Sequence, residues 1–304
     1  MSDTMAAATR AATRNGSAPF ALVALIALIA LGGVGCARQT SGQQPDQQKE
    51  QPVSERQALV EDESVLTRLS AAPDETVAYA QTEGAVADIR FGADGAERRP
   101  LVIVIHGGFW RPAYDRAHAG PMSDALAKAG WTVATIEYRR VPGKPDVTLQ
   151  DVRDAVTALP GLATRHNGKA ILIGHSAGGH LVLWSAATID SPAISGVVAL
   201  APAADLQLSQ KLNLGRGAVL AFLAADATTR PDADPKLLPT PRARIAIVHG
   251  ALDGTVPPEV SRSYLAAHRG VRFVEVPEAG HMAVIDPLSR AWPAVVAELK
   301  RLSE

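Results

Sequence analysis

One stretch leaves this chain few folds to choose from: Ala170-Ile171-Leu172-Ile173-Gly174-His175-Ser176-Ala177-Gly178-Gly179-His180-Leu181-Val182-Leu183. Ala170 to Ile173 is a short apolar run that reads as a fully buried strand. The residues after Gly178 stay apolar, without turn residues, into Ala187, as a buried helix would. The turn between them has to be very tight. Ser176 lies in it with Gly174 two residues before and Gly178 two residues after, a G-x-S-x-G pattern. The glycines leave room where a Cβ would collide with the neighbouring strand and helix. A serine there can be held in strained backbone geometry with its hydroxyl pointing out of the sheet. The plainer reading is a glycine-rich turn whose serine caps a helix. The setting between apolar strand and apolar helix, with Gly179 adding room, favours a nucleophile.

A buried strand needs neighbours on both sides, and the chain supplies them. With 304 residues and 47% hydrophobic content it can bury a large core, and it suits one large α/β domain with appendages. Val77 to Tyr79 and Ala87 to Phe91 read as edge strands, and Leu101 to Ile105 as a central one. A helix is expected from Met122 to Ala129, a strand from Trp131 to Glu137, and a helix over Leu149 to Leu162 entered through Asp146 and Thr148. Beyond the elbow come strand Ile194 to Leu200, strand Ala243 to Val248, helix Pro258 to His268, strand Val271 to Val276 and a helix from Pro287 to Leu302. This alternation predicts right-handed crossovers and a mostly parallel sheet covered by helices on both faces.

In such a sheet, chemistry gathers at the carboxyl ends of the strands. Leu101 to Ile105 runs into His106-Gly107-Gly108-Phe109-Trp110, the elbow strand into Ser176, and the Ala243 strand into His249-Gly250-Ala251-Leu252-Asp253. The Val271 strand runs on to Ala279-Gly280-His281. A serine hydroxyl is a poor nucleophile until a neutral imidazole accepts its proton, and His281 is the expected base. A carboxylate must orient that imidazole, and Asp253 is the acid just past a late strand. Ala177 N–H, directly after Ser176, and an N–H of the 106 to 109 loop are the expected oxyanion donors. Asp253 as a turn residue and His281 as a surface residue are the alternatives. His175 and His180 are expected to pack or line, His106 to brace its own loop, and His249 to be buried at its strand end. His118, His166 and His268 are expected to be solvated. No histidine pair has metal-ligand spacing, and no cofactor is called for.

With these residues placed, Thr76 to Arg301 resembles the α/β-hydrolase family, and within it the carboxylesterase and arylformamidase group. The carrying residues are His106 to Trp110, Glu137-Tyr138-Arg139, Gly174 to Gly179 and His249 to Asp253. The resemblance implies an α/β-hydrolase fold and cleavage of a small carboxylic ester, or alternatively a formamide of the N-formylkynurenine type. It implies Ser176, Asp253 and His281 as the triad, with Gly108, Phe109 and Ala177 as oxyanion donors and Gly107 as an alternate. A peptidase of the prolyl-oligopeptidase type would share the triad but carries a propeller-sized domain for which nothing here provides. Between Pro202 and Pro241 lies one sizeable insertion, with a helix expected at Ala218 to Ala225 that either covers the pocket or is sheet-covering core.

The net charge of -1 provides no basic excess for nucleic acid. Arg10 and Arg14, an apolar run from Ala18 to Leu31 and the exit Gly32-Gly33-Val34-Gly35-Cys36 have the three parts of a secretory signal. The exit resembles a bacterial lipoprotein signal with Cys36 as the lipidated residue, although Gly33 stands where such signals usually have leucine. Cleavage after Ala37 and an uncleaved anchor are the alternatives. Cys36 is the single cysteine, so no internal disulfide is possible. The expected organisation is a signal segment 1–36, a flexible polar tether 37–64 and a catalytic domain 65–304. The expected location is outside a bacterial cytoplasm, held to the membrane through the N-terminus.

Overall fold

The computed structural model describes residues 61–304. The expected signal segment, Cys36 and the tether up to residue 60 lie outside the described residues. The eight strands are β1 (Glu75–Ala78), β2 (Val86–Arg90), β3 (Leu101–Ile105), β4 (Val133–Ile136), β5 (Ala170–His175), β6 (Ile194–Leu200), β7 (Arg244–Gly250) and β8 (Arg272–Val276). They form one sheet in the order β1-β2-β4-β3-β5-β6-β7-β8. β2 runs antiparallel to β1 and β4, and all other pairs are parallel. This is the expected α/β-hydrolase architecture.

β3 and β5 are buried along their whole length, which is why both read as unbroken apolar runs rather than alternating ones. Alternate residues feed two cores. Leu101, Ile103, Ile105, Leu172 and Val197 face Leu159 of helix α2 (Pro145–Leu162) and Leu181 of helix α3 (Ala177–Thr188). Val102, Val104, Ile171, Ile173 and Val198 face Leu126 of helix α1 (Gly120–Lys128) and Leu299 of helix α7 (Trp292–Ser303). Helices thus cover both faces, and the carboxyl ends of β3, β5 and β7 share one edge of the sheet.

Several expectations change in detail, and the first is that β2, expected at an edge, lies between β1 and β4. α2 begins at Pro145 rather than Leu149, because proline suits the first helical turn and Asp146 complements the positive end of the helix. The terminal helix begins at Trp292 rather than Pro287. Before it, Asp286 is extended ahead of proline, and its side chain and carbonyl accept from the Leu288 and Ser289 amides in a turn. His268, expected in solvent, is buried: its ring packs 4.2 Å from that of Tyr264 and hydrogen-bonds Thr240 Oγ1 at 3.1 Å. At the other end, the expected tether reaches to Ser64, yet Ser64 opens a short 3-10 turn (Ser64–Leu66) whose Val65 is buried in the second core.

Insertion residues form helix α4 (Leu206–Lys211) and helix α5 (Ala218–Leu223). α5 does both things considered for it. Phe222 stacks on Trp110 at 4.7 Å as core, while Ala218 and Val219 close a small cavity above Ser176.

The tight turn predicts opposite outcomes for one substitution at two helical glycines. A Cβ on Gly178 would lie 2.6 Å from the His106 carbonyl oxygen and 2.7 Å from the Ile105 carbonyl carbon, backbone atoms that cannot move aside. Gly161, inside α2, has nothing within 4 Å of its would-be Cβ. Gly178→Ala should therefore destabilise by about 2 kcal/mol or more, whereas Gly161→Ala should stabilise by about 0.5–1 kcal/mol. Thermal denaturation reads both, and a shift of the same sign in the two variants would contradict the packing described.

Candidate active site

The candidate nucleophile lies at the junction of β5 and α3. Ser176 has φ 56° and ψ -114°, a conformation that L residues avoid. Its N–H donates to Leu200 O at 2.9 Å, and its carbonyl accepts from His180 N at 3.0 Å and Ala203 N at 3.2 Å, so bonds on both sides hold the strained residue. Its side chain borders two cavities, one of about 50 Å3 lined by Phe109, Tyr114, Met122, His281 and Ile285. The other, of about 10 Å3, is lined by Phe109, Trp110, Ala177, Ala218, Val219 and Val256.

Asp253 and His281 come together because two loops close on each other. Ala251 N donates to Val276 O and Leu252 N to Ala279 O, both at 2.9 Å. Gly250 permits that approach, since a Cβ there would lie 2.6 Å from Gly280 O. His281 Nδ1–H donates to Asp253 Oδ2 at 2.7 Å, and both residues are buried. The other oxygen, Oδ1, accepts from Thr255 N at 2.9 Å and Val256 N at 2.8 Å. His249, buried as expected, adds its Nε2 at 3.2 Å from Asp253 Oδ2, and its Nδ1 accepts from the Ser261 hydroxyl at 2.8 Å. Burial alone would raise the Asp253 carboxyl, but the facing rings of His281 and His249 hold it well below the usual carboxylate range.

The three expected oxyanion donors lie around Ser176. Gly108, Phe109 and Trp110 all have positive φ, at 110°, 55° and 54°. Two consecutive aromatic residues in that region need outside support. Arg111 N–H donates to Gly108 O at 2.9 Å, the Arg111 guanidinium lies 5.4 Å over the Phe109 ring and hydrogen-bonds Gly215 O, and Trp110 is stacked on Phe222. Among the described residues no backbone carbonyl accepts from the amides of Gly108, Phe109 or Ala177. The alternate, Gly107, also lines the larger cavity, and a Cβ there would lie 2.9 Å from the His175 carbonyl oxygen and 3.2 Å from Ser176 Cβ.

Other histidines pack around these residues. His106 Nδ1–H donates to Gly107 O at 2.8 Å, its Nε2 accepts from Arg140 at 3.2 Å, and its ring stacks on Tyr138 at 4.4 Å. It braces its loop, as expected. Burial keeps it neutral. Glu137, which burial would raise, is held down to about 2 by the neighbouring His106 ring and the Arg140 guanidinium. His180 packs edge-on to Trp110 and donates to Ala233 O at 2.8 Å, and burial pushes it down to about 4. His175 lines the larger cavity and donates Nε2–H to His281 O at 3.0 Å. Burial, then the neighbouring His281 ring, pushes it well below the usual imidazole range, so it stays neutral.

The BD-FAE family profile matches residues 87–267, well over half of the chain, from β2 through Ser176 and Asp253 to the end of α6 (Pro258–Ala267). The chain belongs to the BD-FAE family. Kynurenine formamidase of Danio rerio is 30% identical over 138 residues, which cover 43% of this BD-FAE chain and 46% of that protein. The chain spans about half the length of the curated formamidases it matches. Among solved structures, a truncated carbohydrate esterase from gut microbiota has a TM-score of 0.63 at 20% identity, covering 77% of this chain and 99% of that one. Esterase 2 of Thermogutta terrifontis has a TM-score of 0.59 at 20% identity, covering 75% and 92%. At these identities the likeness is one of fold.

Three features of this BD-FAE site were not found in the sequence: His118 in the wall of the larger cavity, the His175 bond to His281, and Glu61. His118 is half-buried beside Tyr114 and Asp115 of its own turn, His175 takes its partner from a loop 106 residues further on, and Glu61 stands in a polar run without a motif.

The depressed Asp253 carboxyl has a consequence for acid stability. Its folded pKa is below its unfolded one, so its stabilising contribution is present above the unfolded pKa of about 3.9 and is lost as pH falls below it. Asp253→Asn should therefore melt below wild type at pH 7, and the gap should narrow as pH drops under about 4. A melting-temperature gap that stays constant from pH 7 to 3 would show that Asp253 is not held in this way.

Proposed function

We propose that this chain is a serine hydrolase that cleaves small-acyl carboxylic esters through a Ser176-His281-Asp253 triad and an acyl-enzyme. The observation that carries the reading is Ser176, strained and buried, between two unequal cavities of which only the larger is also lined by His281. In the proposed reaction Ser176 Oγ attacks the acyl carbon as His281 Nε2 takes the hydroxyl proton, and Asp253 stabilises the imidazolium. Oxyanion charge falls on the N–H groups of Ala177 and of Phe109 or Gly108. His281 returns its proton to the leaving oxygen or nitrogen, the C–O or C–N bond breaks, and water then releases the acid by the same route in reverse.

The direction of the proton sorts the cavities. A leaving group protonated by His281 lies on the His281 side, in the apolar cavity of about 50 Å3. The acyl chain then faces the cavity of about 10 Å3, which has room for roughly one water-sized group. That size also favours a second reading, hydrolysis of an aryl formamide, because formyl is the smallest acyl group and the Danio rerio relative is a kynurenine formamidase. The named relatives and structural neighbours, esterases and formamidases, support small-molecule substrates.

A series of p-nitrophenyl esters with N-formylkynurenine tests this. Acetate should exceed octanoate in kcat/KM by about 10²-fold, and Val219→Ala, which widens the smaller cavity, should raise the butyrate to acetate ratio by about tenfold. Ser176→Ala should abolish all turnover while remaining folded. Turnover above a few per cent in that variant, or equal rates along the acyl series, would overturn the assignment.

The N-terminal reading is carried by residues outside the described ones, and we propose on the sequence alone that Cys36 is acylated and holds the enzyme to a bacterial membrane outside the cytoplasm. Cys36→Ser should move the protein from the membrane to the soluble fraction, or block its processing, with specific activity unchanged. A variant that fractionates and migrates like wild type, together with no palmitate labelling of wild type, would remove Cys36 as the anchor.

A further inference from the structure

His281 stands on a loop, with β8 ending at Val276 and the next 3-10 turn (Ala283–Ile285) still ahead, so no regular element fixes its backbone. Its ring is held by Asp253 and its carbonyl by His175 Nε2. Its amide is held from an unexpected direction. Glu61, 220 residues away in sequence, presents a carboxylate whose Oε1 accepts from His281 N–H and whose Oε2 accepts from Met282 N–H at 3.1 Å.

The position before the histidine is shaped for that carboxylate. A Cβ on Gly280 would lie 2.7 Å from Glu61 Cδ, so only glycine leaves the carboxylate in place. The segment carrying Glu61 is fastened to the same loop a second time. Arg68 forks onto Asp286, with Nη2 3.1 Å from Oδ2, and its Nη2 is also 3.2 Å from Ser64 Oγ. Between the two clamps Val65 is buried, and Leu66 lines the cavity shared by Ser176 and His281.

We infer that Glu61 is a positioning residue for His281, and that residues 61–68 are a strap completing the active site from the N-terminal side. The inference rests on the proposed hydrolase reading. Without the strap, the His281 peptide keeps its carbonyl bond and its ring bond but can pivot about them. A general base displaced by about 1 Å costs on the order of 10²-fold in rate.

Two variants of the full chain remove the contact by different routes. Glu61→Ala deletes the acceptor, and Gly280→Ala leaves Glu61 present but pushes its carboxylate off the two amides. Each should lower kcat about 10- to 100-fold, with KM within about twofold. Each should slow phosphonylation of Ser176 by a fluorophosphonate in parallel. Glu61→Gln, which keeps one amide oxygen as an acceptor, should recover part of the loss. Melting temperatures identify any variant whose loss is only a loss of folded protein. Wild-type kcat in both alanine variants, a loss confined to KM, or a loss accounted for by unfolding would overturn the inference while leaving a wild-type enzyme that labels at Ser176. If wild type itself fails to label, the hydrolase reading falls and the positioning role with it.

Discussion

Everything in the site depends on a close approach of backbones around Ser176. A serine at φ 56° is uphill by about 1–3 kcal/mol and persists only where its surroundings leave no alternative. Here β3 crosses so near the start of α3 that Gly178 lies against the Ile105 and His106 carbonyls, while Leu200, His180 and Ala203 bond both sides of the Ser176 peptide. The same approach brings the His106 to Trp110 loop beside the first turn of α3. That neighbourhood is where unpaired amides can collect.

Around this rigid junction the site is built from loops, and polar contacts do for them what packing does for the strands. The His106 loop leans on Tyr138, Arg140 and Glu137, all at the end of β4. The Asp253 loop is held by His249 and by its own amides, and His281 by Asp253, His175 and Glu61. Burial keeps His106, His175 and His180 neutral, so these rings serve as hydrogen-bond donors and packing surfaces without adding positive charge. His281 is the histidine that combines a fully buried carboxylate partner with a place in the larger cavity that Ser176 also lines.

The likenesses to other proteins divide along the same line. The family match spans most of the sheet, and the solved structures share its fold over about three quarters of this chain. The insertion and the segment 61–68 each line one of the two cavities beside Ser176. Val219 comes from the insertion, and Leu66 from a segment ahead of the matched region. Neither position belongs to a motif.

The sequence by itself determined the sheet, the elbow and the three polar residues at strand ends, because these rest on local rules. Apolar runs such as Leu101 to Ile105 can only be buried strands here, and G-x-S-x-G between strand and helix demands a tight turn. Asp253 and His281 were legible from their places just past β7 and β8, since parallel strands all deliver their ends to one edge. The burial of His268, the bond from His175 and the docking of Glu61 were decided only by the tertiary structure. Each depends on a partner far away in sequence: Thr240, Pro235 and Lys236 around His268, the His281 carbonyl for His175, and the amides of His281 and Met282 for Glu61. A polar side chain carries no periodicity that points to its partner. A glutamate followed by Asp62, Glu63 and Ser64 reads as solvated until the fold brings two N–H groups to it.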